Sequence, residues 1–130
     1  FYGELDLANG VFTSTNAGHN PPLVLRQSGK IDPLDLGGLL LGMVSGMEYK
    51  QEMIDLAPGE VILLYTDGIT EAVSAEGVMF GEETLLEVVR TNSNSAVASL
   101  VAAISDEVEQ HTGIESQSDD ITLMALRYLG

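Results

Sequence analysis

The feature that most constrains this chain is Val61-Ile62-Leu63-Leu64-Tyr65, an unbroken apolar run rich in β-prone residues. It shows no alternation of polar and apolar positions, so it reads as a strand buried on both faces or inside a sandwich. Ala57-Pro58-Gly59-Glu60 turns into it, and Thr66-Asp67-Gly68 ends it. Asp67 thus comes off the end of a rigid element. Gly68 behind it permits a sharp turn, with no neighbouring side chain in the way of the carboxylate. The same three residues also suit an ordinary turn closing a strand.

The rest of the chain arranges itself around that strand. Phe1 to Leu7 and Val11 to Asn16 are short β-prone runs joined around Asn9-Gly10, the pattern of a hairpin. A two-stranded ribbon is marginal alone, so further strands are expected upstream of Phe1. Ala17-Gly18-His19-Asn20-Pro21-Pro22 is a rigid loop, because the two prolines forbid helix. His19 is open to three roles, as base, ligand or loop brace. Bracing is preferred, because no second histidine or carboxylate lies near it in sequence.

Leu23 to Arg26 reads as a strand, turned back by Gln27-Ser28-Gly29-Lys30. From Ile31 to Met47 the reading is a loop that lays apolar side chains across a sheet edge. Gly37, Gly38, Gly42 and Gly46 weaken any helix there, by about 1 kcal/mol for each interior glycine. The run lacks the lysine of a nucleotide phosphate loop. Tyr49 to Leu56 alternates moderately and reads as a strand.

After Gly68, a short helical turn is expected over 69–72 and a solvent loop over 74–77, with Phe80-Gly81 as an anchor before a helix. That helix, Glu82 to Arg90, gathers Leu85, Leu86, Val88 and Val89 on one face, and Glu82 and Glu83 suit the dipole of its first turn. Ser95 is the expected cap of a second helix, whose stripe is Val97, Leu100, Val101, Ile104 and Val108. Both helices read as scaffold. His111 is expected at a helix end, near the terminal carbonyls. A polar stretch then leads to a strand over 121–128. Asp119 and Asp120 stand at its start and repel each other unless protonated or neutralised by a cation. A solvated surface pair is the other reading.

Composition removes several classes of function. With no cysteine, disulfides, thiolate metal sites and cysteine nucleophiles are excluded. Twenty acidic residues against five Lys plus Arg give a formal charge of -15, which disfavours nucleic acid and anionic lipid as partners. No apolar run approaches the roughly 20 residues that span a bilayer, and no signal segment opens the chain, so a cytoplasmic location is expected. One domain at most is expected from 130 residues with 45% apolar content.

Asp67 and Asp119 both lie where a strand meets a loop. If their strands are neighbours, the two carboxylates can share a hard cation, and oxygen ligands suit magnesium or manganese. Two or three carboxylates are too few for a complete binuclear site.

In order, Ala17-Gly18-His19-Asn20-Pro21-Pro22, Leu56-Ala57-Pro58-Gly59-Glu60, Tyr65-Thr66-Asp67-Gly68-Ile69-Thr70-Glu71-Ala72, Phe80-Gly81 and Gln117-Ser118-Asp119-Asp120-Ile121-Thr122 run through nearly the whole chain. Together they resemble the C-terminal half of the bacterial stage II sporulation E and sigma-regulator type of metal-dependent serine/threonine phosphatase, the PP2C or PPM family. The resemblance implies an α+β fold, a PP2C-like α-β-β-α sandwich of antiparallel sheets flanked by helices, with only its C-terminal part in residues 1–130. It implies a binuclear Mn2+ or Mg2+ centre with Asp67 and Asp119 as ligands and catalytic residues, and Asp120 at a neighbouring position as a further candidate ligand. The family hydrolyses phosphoserine or phosphothreonine by direct attack of metal-activated water. Its usual bacterial substrates are phosphorylated anti-sigma-factor antagonists.

One departure stands against these matches. The family's N-terminal half carries an Asp-Xaa-Xaa-Gly-His-Gly motif whose aspartate bridges the metals, and Gly18-His19-Asn20 is not that motif, since Thr15 stands where the aspartate would be. The expectation is therefore a parent phosphatase with an upstream metal-binding half and a sensor or regulatory domain, of which this chain alone binds metal weakly and is inactive. The alternative is a non-catalytic PP2C-like regulatory or dimerisation module, favoured if Asp67 is salt-bridged. A general acidic cation-binding protein is weaker, for want of a calcium loop. Exposed sheet edges lead us to expect a homodimer.

Overall fold

The computed structural model of the chain describes residues 1–113 and 119–130. Its elements are β1 (Tyr2–Asp6), β2 (Val11–Thr15), β3 (Leu23–Leu25), β4 (Ile31–Pro33), β5 (Glu52–Asp55), β6 (Val61–Tyr65), α1 (Asp67–Thr70), α2 (Gly81–Asn92), α3 (Val97–Thr112) and β7 (Leu123–Arg127). The strands form two sheets, one in the order β1-β2-β5 and one in the order β4-β3-β6-β7. Two compact units emerge, Phe1–Leu63 with Leu126–Gly130, and Leu64–Ala125.

In the first unit, β1 and β2 make the expected hairpin, pairing Tyr2 with Thr15 and Asp6 with Val11. Gly10 closes its turn at φ +72°, a left-handed conformation that glycine adopts without strain. The Asp6 carboxylate accepts from Asn9 Nδ2 at 2.7 Å and from the Ala8 amide at 2.9 Å. Those bonds, the Asn9 side chain first, hold Asp6 below the usual carboxylate range. β2 alternates as a half-buried strand should, with Phe12 and Ser14 inward.

The run 61–65 behaves as its lack of alternation requires. Leu23, Val24 and Leu25 of β3 stand opposite Leu63, Ile62 and Val61, and all six side chains are buried. Burying a side chain such as Leu63 contributes about 1.5–3 kcal/mol. In the second unit, α2 lies against α1 and α3. Leu85 and Val89 of α2 and Leu100, Ile104 and Val108 of α3 are buried, as their spacing predicts, while Leu86, Val88, Val97 and Val101 are half-buried. Phe80 is buried at the start of α2, the anchor expected of it. Among the described residues, no helix is long and apolar enough to cross a membrane.

Several readings need correction. The segment 31–47 is not wholly loop, because Ile31–Pro33 pairs antiparallel with β3. Its apolar side chains pack only in part: Leu34 is buried, whereas Leu39, Leu40, Leu41, Met43 and Val44 are all exposed. After β4 its backbone is tied to the end of β2, where Asn16 N donates to Leu36 O and Gly38 N donates to Asn16 O, both at 2.9 Å, and Leu41 N donates to Ala17 O at 3.3 Å. Beyond that anchor, Gly42 and Gly46 take left-handed turns. Ser95 is not the cap of α3. The Ser95 amide closes the turn after α2 by donating to Asn92 O at 3.0 Å, and Ala96 occupies the N-cap without a side-chain bond.

A charged network staples the first unit. Glu60, only 7% exposed, accepts from Arg26 Nη1 at 2.9 Å, and Arg26 Nε donates to Asp32 at 3.0 Å, while Lys30 meets the other Asp32 oxygen at 2.6 Å. Burial acts to lower the Arg26 pKa, but the bonds to Asp32 and Glu60 outweigh it and raise it. Lys30 first, then Arg26, holds Asp32 below its ordinary value of 3.8. A carboxylate depressed in the folded state contributes stability that is complete above its unfolded pKa and is lost as pH falls through the folded one. Asp32→Asn is therefore expected to flatten the acid limb of melting temperature against pH below about pH 4. An unchanged acid limb would show the pair to be screened by solvent.

Candidate metal centre

Everything at the candidate centre belongs to the second unit. Asp67 leaves β6 as its sequence position predicts and becomes the first residue of α1, after an extended Thr66 at φ -92° and ψ 161°. Its Oδ1 accepts from the Gly68 amide at 3.1 Å. The residue is exposed, and none of the ion pairs found among the described residues involves it. A salt-bridged Asp67, the condition that would have favoured a non-catalytic module, is thus not what the described residues form.

Gly68 is required for a reason different from the expected one. It lies in helical conformation, outside the set of left-handed glycines. Its hydrogen faces the segment before β7, and a Cβ there would stand 2.7 Å from Asp120 O, 3.1 Å from Asp120 C and 3.3 Å from Asp119 O. Only a residue without a side chain lets the two backbones approach so closely. The consequence is that the loop after β6 lies on the loop before β7.

Asp119 and Asp120 are both exposed on that second loop, and Asp119 Oδ1 accepts from the Asp120 amide at 2.7 Å. The Thr66 hydroxyl donates to Asp120 O at 2.8 Å and accepts from the Thr122 amide at 2.9 Å, while Thr66 N donates to Thr122 O at 3.1 Å. The fold therefore brings Asp67, Asp119 and Asp120 onto two touching loops. Their hard carboxylate oxygens suit a hard divalent cation, as part of a ligand set. Among the described residues, no group of three or more His, Cys, Asp and Glu is placed to hold a metal ion. Gln117 and Ser118, the first residues of the motif around Asp119, lie outside the described residues.

The histidines stand apart from this arrangement. In the first unit, the Asn16 side chain organises the 17–22 loop, with Oδ1 accepting from the Gly18 and His19 amides at 3.0 and 2.9 Å and Nδ2 donating to His19 O at 2.8 Å. His19 Nδ1 lies 2.6 Å from Asn20 O. The loop is braced, but its principal brace is Asn16, buried at the end of β2. Asn16, an Asx-type residue two positions before Gly18, is the available signal. In the second unit, His111 sits in the last turn of α3, yet its Nε2 bonds Val78 O at 2.9 Å and its ring meets Phe80 edge-on at 5.5 Å. It serves the 73–80 loop rather than the terminal carbonyls of its helix. Burial, and then the charge of Glu82, raises the pKa of Tyr65.

The sequence pattern of the stage II sporulation protein E (SpoIIE) family matches residues 1–129. The chain belongs to this family. It is 33% identical over 126 residues to Protein IcfG of Synechocystis sp., covering 97% of the chain and 20% of that protein. With phosphoserine phosphatase RsbU of Bacillus subtilis it shares 29% identity over 128 residues, covering 98% of the chain and 38% of that protein. The solved SiaA-PP2C domain of Pseudomonas aeruginosa superposes with a TM-score of 0.77 at 19% identity, covering 92% of the chain and 47% of that domain. That likeness shows the fold: an α+β, PP2C-like sandwich of antiparallel sheets flanked by helices. Family membership places the chain in the PP2C/PPM phosphatase superfamily. The chain spans less than half the length of each of these three proteins.

Proposed function

We propose that the chain is the C-terminal part of a metal-dependent serine/threonine protein phosphatase domain, in which Asp67 and Asp119 are ligands to a Mn2+ or Mg2+ pair and Asp120 is a further candidate. The observation that carries this reading is the contact of Gly68 with the Asp119-Asp120 backbone, which sets two carboxylate-bearing loops side by side in a chain of the SpoIIE family. When bound, such ions lower the pKa of water and stabilise charge on a transferring phosphoryl group. The protein's own part is to hold Asp67 and Asp119 at a fixed separation on loops anchored to β6 and β7. The remaining ligands belong to an upstream half of the parent protein, together with its sensor or regulatory segment. The substrate class is a phosphoserine or phosphothreonine protein of the anti-sigma-factor-antagonist kind, a reading supported by the likeness to RsbU, named as a phosphoserine phosphatase.

Manganese-dependent hydrolysis of a phosphoserine protein is the direct test. The full natural protein should turn over the substrate and lose activity on chelation, whereas residues 1–130 alone should show little. Robust hydrolysis by the 130-residue chain would refute the incomplete ligand set. A full protein without metal-dependent turnover would favour the second reading, a non-catalytic regulatory or dimerising module. That reading draws on the lack of a three-residue ligand group among the described residues.

A further inference from the structure

We propose that Thr66 is a positioning residue for the metal centre, a hydroxyl clasp that sets the separation of Asp67 from Asp119. The inference rests on the reading that these two aspartates hold the metal. Thr66 precedes Asp67 directly, and its one side chain binds the opposing loop twice, giving its proton to Asp120 O at 2.8 Å and taking the Thr122 amide at 2.9 Å. Its backbone amide adds a third bond to the same loop, to Thr122 O at 3.1 Å. A hydroxyl both donates and accepts, so it can satisfy a carbonyl and an amide that flank a single residue, Ile121.

The position of these bonds gives them their consequence. β6 ends at Tyr65 and β7 starts at Leu123, so Thr66 and the 120–122 segment lie just beyond the strands, where each backbone is otherwise free to diverge. In place of a regular ladder carbonyl, the Thr122 amide meets a side-chain oxygen, and the clasp extends the pairing to the residues that carry the acids. On one side the tied residue is next to Asp67. On the other it is Asp120, next to Asp119. Gly68 then fills the gap behind the clasp without a side chain, so the two loops are fixed by a bond and a contact together. Thr66 is half-buried and Asp120 is exposed, so water can replace the lost hydrogen bonds if the hydroxyl is removed, but it cannot hold the spacing.

The test uses the full natural protein with Thr66→Val, Thr66→Ser and Asp67→Asn, with Mn2+ binding read by calorimetry beside the melting temperature. Groups that orient metal ligands typically contribute 10–100-fold to affinity, so Thr66→Val should weaken Mn2+ binding by about that factor and move the melting temperature little. Thr66→Ser restores the same oxygen and should recover most of the affinity. Wild-type affinity in Thr66→Val, with binding lost in Asp67→Asn, would overturn the clasp and leave the metal reading intact. Wild-type affinity in Asp67→Asn as well would remove the metal reading and the clasp with it. If Thr66→Val does not fold, amide exchange in the unmodified protein decides: exchange at Thr122 should slow on adding Mg2+, and an unchanged rate overturns the proposal.

Discussion

If Asp67 and Asp119 hold the metal as proposed, Asp67→Asn and Asp119→Asn are each expected to cut metal-dependent phosphate-ester hydrolysis by the full natural protein at least about 100-fold, with the melting temperature unchanged or slightly raised. A metal centre supplies several kcal/mol of charge stabilisation, and each 1.36 kcal/mol is tenfold in rate. Asparagine keeps the shape of the side chain and one carbonyl oxygen but removes the charge that a hard cation needs. Stability should not suffer, because both residues are exposed and the chain already carries a formal charge of -15. Neutralising one of two carboxylates on touching loops relieves repulsion between them. Kinetics over a manganese titration, with thermal melts on the same samples, separates the outcomes. A rate within threefold of the unmodified protein for either variant would remove that residue from the ligand set. A matching fall in melting temperature would make its role structural.

Glu60→Ala is expected to destabilise the fold by about 3–5 kcal/mol, toward the lower end of that range, as read by urea denaturation. The Glu60 carboxylate accepts from Arg26 Nη1 at 2.9 Å, from the Ala57 amide at 3.1 Å and from the Gln27 amide at 3.3 Å. Alanine leaves both amides and a guanidinium without that acceptor in a place where little water reaches, and an unpaired buried charge costs more than its pair contributes. The loss is moderated because the Arg26 side chain is 20% exposed and keeps its bonds to Asp32 and to Asp55 O. Against a total stability of about 5–15 kcal/mol for a domain, this is a large fraction. Replacing both partners, Arg26→Met with Glu60→Leu, should cost less than Glu60→Ala alone, because neither charge is then stranded. A loss under about 1 kcal/mol for Glu60→Ala would mean that the network is surface decoration.

Much of this arrangement can be read from local pattern. The burial of Val61, Ile62, Leu63 and Tyr65, the Asn9-Gly10 hairpin and the inward stripes of α2 and α3 each follow from periodicity or turn chemistry within a few residues. Asp67 at the mouth of a strand and Asp119 before another are legible in the same way. The 31–47 segment is poorly legible because a three-residue strand ending in proline carries almost no β signal, and because Leu39, Leu40 and Leu41 have the composition of core residues yet are exposed. Ser95 has the composition of a cap, yet α3 starts one position later than that would require, with Ala96 at its N-cap. Gly68 is conspicuous in the sequence as a turn residue, whereas its contact with the Asp120 backbone carries no local signal.

Residue types and their spacing were sufficient to determine most of the strands and helices, the buried stripes of α2 and α3, the acidic balance of charge, and the exclusion of thiolate ligands, but not the short strand β4. They did so because backbone propensity and burial periodicity act over a few positions. Only the tertiary structure decided that Gly68 touches Asp120, that Thr66 ties itself to residues 54 and 56 positions away, and that Arg26 finds Glu60 34 positions on. Those partners are set by which strands lie side by side. A hydroxyl or a carboxylate carries no mark in the sequence of the distant amide it will meet.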